Sequence, residues 1–180
     1  MKPDRILFPI DLAKCPLDVL PLLNNLAGRS DASVILLHVV HLNILAPDNR
    51  IYQEHCREAR RLLERLAENY VNPLVDVRLR VRVGNPFDEI VREAREQQVQ
   101  FILVPTFASS FWRRLLAPLA RRVAERLAAD ARCPVFALRA KTPFNCEERW
   151  GSEKDVPDSV RRNSKRQSPL TSSLAVLQSN

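Results

Sequence analysis

The side chains able to carry chemistry in this chain are few. His38 and His41 stand as H-x2-H, with His55 further on. A zinc site needs three or four ligands converging on one point, and residues three apart on a strand leave on opposite faces. The pair therefore does not assemble a metal site, and His38 is expected to be a hydrogen-bonded histidine of the core. Ser109 and Ser110 have no histidine at a spacing that suggests a base and no G-x-S-x-G elbow around them, which argues against a hydrolase. Cys15, Cys56, Cys133 and Cys146 include no C-x-x-C pair and are expected to be free thiols in a reducing compartment. One stretch gathers polar groups: Thr106, Ser109, Ser110, Arg113 and Arg114. Their hydroxyls and guanidiniums could hold a phosphate or another anion. The same stretch carries Phe107, Phe111 and Trp112, which would either cover such a cleft or offer an apolar patch to a protein partner. No catalytic residue, no metal and no cofactor is expected, so the chain does not read as an enzyme.

Glycine narrows the choice further. The chain has three, Gly28, Gly84 and Gly151, too far apart for a phosphate loop of the G-x-G-x-x-G or G-x-x-x-x-G-K-S/T kind. Its 180 residues suffice for one domain of about 140 residues and a tail. The net charge of +7 raises contact with nucleic acid or anionic lipid. Residues 1–140 carry 21 Lys and Arg against 16 Asp and Glu, and residues 141–180 carry 7 against 5; no segment is a polybasic arm, and neither partner is expected. No apolar run approaches the roughly 18–20 residues of a membrane-spanning helix. The opening MKPDRILFPID lacks the apolar stretch of an export signal, so a cytoplasmic protein is expected.

The elements that must position these residues follow from periodicity. Residues 5–10, a short apolar run ending at Asp11, read as a buried strand with a polar residue at its tip. From Pro16 to about Arg29, leucines recur at three and four residues, with Gly28 suited to the helix end and Pro21 expected to distort the first turns or delay the regular helix. Residues 33–40 are continuously apolar, the mark of a strand covered on both faces. Tyr52 to Tyr70 shows one apolar stripe opposite arginines and glutamates, an amphipathic helix. Residues 75–83 alternate with period two, so one face packs while Asp76, Arg78, Arg80 and Arg82 meet water, as on an edge strand. Asn85 can cap the next helix, with Pro86 in its first position and Asp88 in its first turn. Phe101 to Val104 form a further buried strand. A loop then leads to a helix from about Leu115 or Pro118 to Ala131, and Pro134 to Leu138 make the last strand. This alternation predicts an α/β fold, a doubly wound five-stranded parallel sheet. Residues 141–180 hold ten apolar residues in forty and no sustained period. They are expected to form a mostly disordered tail outside a domain of residues 1–140.

Residues 3–140 resemble the universal stress protein (UspA-like) family. The resemblance rests on Ile6-Leu7-Phe8-Pro9-Ile10-Asp11, Leu36-Leu37-His38-Val39, Gly84-Asn85-Pro86 with Ile90, Phe101-Ile102-Leu103-Val104 and Cys133-Pro134-Val135, in this order. It implies a Rossmann-like sheet ordered 3-2-1-4-5 and a homodimer through the last strand, Val135, Phe136, Ala137 and Leu138. An apolar strand at a sheet edge is a liability unless something pairs with it. Members that bind ATP carry G-x2-G-x9-G-S/T after the fourth strand, and the matching positions here are Pro105, Ala108, Pro118 and Leu119. Two prolines have no amide to donate, the alanine adds a Cβ where the backbone must come close, and leucine replaces a hydroxyl. The resemblance leaves Asp11 and Val39 on the adenine side of the site.

Three functional expectations follow. The first is a dimeric regulatory or protein-interaction module in a stress response, without ATP, its protein partner unidentified. The second is a small-molecule sensor taking an adenine nucleotide or another anionic ligand at the cleft between strands one and four, through Asp11, Val39, Thr106, Ser109, Ser110, Arg113 and Arg114. The third is a nucleic-acid accessory protein acting through its basic surface and tail.

Overall fold

A computed structural model describes residues 4–41, 49–106, 127–141 and 143–150. Five strands, β1 (Arg5–Pro9), β2 (Ser33–His41), β3 (Val77–Gly84), β4 (Phe101–Thr106) and β5 (Val135–Arg139), form one sheet ordered β3-β2-β1-β4-β5. Every pair is parallel. The connecting helices are α1 (Leu20–Ser30), α2 (Asn49–Tyr70) and α3 (Pro86–Gln97), and a short α4 (Cys146–Trp150) follows the last strand. Residues 127–131 are also helical. Among the described residues no helix is long and apolar enough to cross a membrane.

The continuous apolar runs have the consequence expected of them, a sheet with two dry faces. Ile6, Phe8, Val34 and Leu36 pack with α1 and α2 on one side, while Leu7, Ile35 and Leu37 pack with Ile90, Val91 and Ala94 of α3 on the other. Pro21 delays α1 as its missing amide requires: two 3-10 turns, Leu12–Lys14 and Leu17–Val19, precede a helix that begins at Leu20. That helix runs past Gly28 and is closed by Asp31 in the left-handed region, φ 50°. Asn85 caps α3 as expected, its Oδ1 accepting from the Phe87 amide at 2.9 Å. Gly84 just before it lies at φ +153°, and an added Cβ would stand 3.1 Å from the Glu89 side chain, so glycine is required at this turn.

The expected domain edge at residue 140 falls short of the packed unit. Phe144 forms an antiparallel bridge with Cys15, Cys146 and Trp150 are buried, and the Trp150 ring lies 6.1 Å from that of Tyr70 and 5.3 Å from that of Phe144. Arg65 donates to the Trp150 carbonyl at 3.0 Å, and the Lys141 amide donates to Asp18 at 2.7 Å. The average composition of forty residues conceals three apolar side chains concentrated at 144, 146 and 150, which close the seam between α2 and the first 3-10 turn. Residues 151–180 lie outside the described residues.

Cys15 gives this seam a pH dependence. Its thiol is hydrogen-bonded to that of Cys146, and this bond, then burial, then the neighbouring Cys146 and Asp11 push its pKa far up. A thiol held neutral in the fold contributes stability that is complete below its unfolded pKa and is lost as pH rises above it. Urea denaturation followed against pH should therefore show stability falling above about pH 8.5, at about 1.4 kcal/mol per pH unit for the one thiol. Cys15→Ala should remove the Cys15 share of that slope and leave the smaller part due to Cys56 and Cys133, whose pKa values burial also raises.

Candidate functional site

The carboxyl ends of β1 and β2 open into a cleft, the place where open α/β sheets bind ligands. One cavity of about 210 Å³ is lined by Pro9, Ile10, Asp11, Leu37, His38, Val39, His41, Pro86 and Ile90. A second, of about 590 Å³, shares Asp11, His38, Val39 and His41 and adds His55, Glu58, Ala59 and Leu62 of α2 together with Glu147 of α4. The apolar wall comes from strand ends and from α3, and the polar groups stand where the strands stop.

Asp11 does two things here. Its Oδ1 accepts from the Ala13 amide at 3.1 Å, capping the first 3-10 turn, and its half-buried carboxylate lines both cavities. The cap fixes the side chain's orientation, so the group reaches the cleft already positioned. His38 Nδ1 lies 3.0 Å from the Ile10 carbonyl; because a carbonyl only accepts, Nδ1 carries the proton, and Nε2 remains as the acceptor of the neutral ring. His38 is half-buried at the cleft, which corrects its assignment to the core. His41 lines the same two cavities, although opposite faces were expected. The strand ends at His41, so the cleft wraps its tip and collects side chains from both faces. Even so, no three His, Cys, Asp or Glu side chains among the described residues are grouped to hold a metal ion.

Of the residues expected on the far side of the cleft, Thr106 closes β4 opposite Arg139 of β5. Ser109, Ser110, Arg113 and Arg114 lie outside the described residues, as do Phe107, Phe111, Trp112, Pro118 and Leu119. Pro105 is buried within β4, opposite Leu138. On β5, Phe136 is 51% exposed and its ring meets Phe101 edge to face at 5.6 Å; among the described residues β5 pairs with β4 alone.

Away from the cleft the structure holds a charged cluster that periodicity misplaced. Asp76 and Arg80 stand in water as expected and Arg78 partly so, but Arg82, 19% exposed, is covered by carboxylates of α3. Glu93 is 1% exposed and pairs with Arg80 at 3.3 Å and with Arg82 at 2.5 Å, and Arg82 also reaches Glu89 and Glu96. Burial alone would lower the Arg82 pKa, but hydrogen bonds to Glu96 and Glu93 outweigh it and raise the value. The guanidinium therefore stays charged far into alkali. Glu89, Glu93 and Glu96 fall at four- and three-residue spacing on α3, a carboxylate stripe matching the alternate arginines of β3. That coincidence was the available signal.

The model of the universal stress protein family matches residues 3–139. The chain belongs to the universal stress protein family. No curated protein sequence matches it. Among solved structures, the hypothetical protein MJ0577 is similar in fold, with a TM-score of 0.60 at 20% identity over 79% of this chain and 99% of that one. The hypothetical protein PH0823 has a TM-score of 0.55 at 27% identity, covering 76% and 96% of the two chains. A universal stress protein family member from Burkholderia pseudomallei follows at 0.51 and 24%, covering 75% and 95%. In this universal stress protein the sheet order and the cleft at the strand ends are those of the doubly wound fold.

Proposed function

We propose that this universal stress protein is a dimeric, cytoplasmic regulatory module that acts without catalysis and without ATP. The observation that carries the reading is the replacement of the glycine pattern by Pro105, Ala108, Pro118 and Leu119. Pro105 lies in β4 itself, where a ring nitrogen supplies no N–H to a phosphate. A triphosphate would have to be held by backbone amides approaching closely; Pro105 and Pro118 have none to donate, and the Cβ of Ala108 stands in the way of a close approach. Calorimetric titration with magnesium and ATP should give no binding in the micromolar range; micromolar affinity would overturn the reading.

A second reading is favoured by the cavity of about 210 Å³ that Asp11 and Val39 line: a flat, uncharged base or nucleoside could be held there by one oriented carboxylate and an apolar wall. Adenosine would then bind at least as tightly as ATP, because the phosphates contribute nothing. A native mass spectrum free of small molecules, with no thermal shift on adenosine, AMP or ATP, would remove it.

The dimer would form through Val135, Phe136, Ala137 and Leu138. An exposed aromatic on a strand that, among the described residues, pairs along one side is the kind of anchor that dominates interface energies. Phe136→Asp should weaken self-association at least about 30-fold, read by sedimentation as a shift toward the 20.6 kDa monomer. An unchanged mass for the variant would exclude β5 as the interface.

A further inference from the structure

We infer that Cys15 and Cys146 form a modification site, a buried dithiol that a hydroperoxide such as hydrogen peroxide converts to a disulfide tying residues 143–150 to the connection between β1 and α1. The placement is a matter of backbone geometry. The Cys15 amide donates to the Phe144 carbonyl at 2.6 Å and the Phe144 amide donates to the Cys15 carbonyl at 2.9 Å. Such a reciprocal pair holds the Cys15 and Phe144 backbones about 5.5 Å apart and so ties the segment that carries Cys146 against Cys15. Two residues on, α4 begins at Cys146, which is buried in the same core cluster as Cys15. Both cysteines are 0% exposed and belong to one packed cluster, both are free thiols, and Cys146 is near enough to act directly on the Cys15 thiol.

The same burial sets when the reaction occurs. In the closed fold the pair is dry and Cys15 resists ionisation, so neither sulfur attacks an oxidant. Cys146 sits on a five-residue helix at the end of the packed core, the kind of segment that opens locally before the whole fold does. Once opened, the Cys146 thiolate attacks one peroxide oxygen. The S–O bond forms as the O–O bond breaks, and the released hydroxide takes up a proton to give water. The same opening uncovers Cys15, which ionises, and its thiolate displaces hydroxide from the resulting sulfenic acid as the segment recloses. The S–S bond forms as the S–O bond breaks, and the hydroxide takes up the proton that Cys15 released to give a second water. Two thiols lose two electrons in all, and one hydrogen peroxide becomes two waters. The product fixes the segment that carries Glu147, so the larger cavity of the cleft gains a covalently anchored wall.

The test uses the full chain in reduced form. It is treated with hydrogen peroxide at increasing, sub-denaturing urea, then alkylated under denaturing conditions and mapped by peptide mass. The expected result is a Cys15–Cys146 cross-linked peptide with both residues protected from alkylation, formed faster as urea rises, and reversed by dithiothreitol. The Tm should rise by about 5–15 °C, because the bond closes a very long loop of the unfolded chain. Cys56→Ser combined with Cys133→Ser should leave that rise intact, and Cys146→Ala should abolish it. The cross-link map on the unsubstituted protein needs no variant to fold. Oxidation of Cys56 or Cys133 while Cys15 and Cys146 remain alkylatable would overturn the proposal, as would Cys146 passing to sulfinic acid or a cross-link joining two chains.

Discussion

Glu93→Ala is expected to cost about 2–4 kcal/mol of folding stability, read as a lower urea midpoint at unchanged denaturant dependence. The carboxylate is 1% exposed between two arginines, of which Arg82 is 19% exposed. Taking away one partner of a buried pair leaves the other charge without its compensation, and that residue, rather than the lost attraction, sets most of the cost. The figure lies below the about 3–5 kcal/mol of a wholly buried pair because Arg80 is half in water, where solvent screens it, and because Glu89 and Glu96 still hold Arg82. Glu93→Gln, which keeps the volume and removes the charge, should recover only part of the loss. A double-mutant cycle with Arg82→Ala should show coupling of at least about 0.5 kcal/mol. A loss under about 0.5 kcal/mol for Glu93→Ala would mean that Arg82 of β3 is solvated after all.

The second large effect is expected at Trp150. Trp150→Ala should cost about 3–5 kcal/mol and lower the Tm by roughly 6–20 °C for a chain of this size. The ring is 5% exposed and packs on Tyr70 and Phe144. Truncation opens a cavity beside α2 and also loosens the Arg65 bond to the Trp150 carbonyl, because the helix that presents that carbonyl loses its anchor. Trp150→Phe keeps most of the apolar volume and should cost less than half as much. A Tm within about 2 °C of the unsubstituted protein for Trp150→Ala would place residues 143–150 outside the cooperative unit.

These two residues mark where reading along the chain stopped. Alternation along Val77–Gly84 correctly separated its two faces, since a period of two belongs to any strand. It could not say that α3 would cover Arg82 on the charged one. Likewise Cys146 and Trp150 stand at the helical spacing of four but are only two apolar positions, too few to announce an amphipathic helix, and their burial depends on a gap beside Cys15 and Tyr70 that is far away in sequence. His38 and His41 fail in the opposite direction: their divergence along a strand is real, but a strand that ends at the cleft brings both faces to one cavity. Asp11 was legible as a strand-tip residue and as a cap; its position in the cleft follows from the fold that β1 occupies.

By itself the sequence determined the order of strands and helices and the parallel sheet they form. Ile6–Pro9, Val34–Leu37 and Ile102–Val104 are apolar on both faces, and only helices on both sides of a sheet can cover such strands. It also determined the start of α3 at Asn85-Pro86, because a side-chain acceptor and a fixed φ act on their immediate neighbours. The tertiary structure alone decided which carboxylates meet Arg80 and Arg82, where the core ends, and which polar groups share the cleft. The physical reason is range. Hydrogen bonding and dihedral preference act over four or five residues, whereas burial and ion pairing act between surfaces whose separation in sequence carries no information about their separation in space.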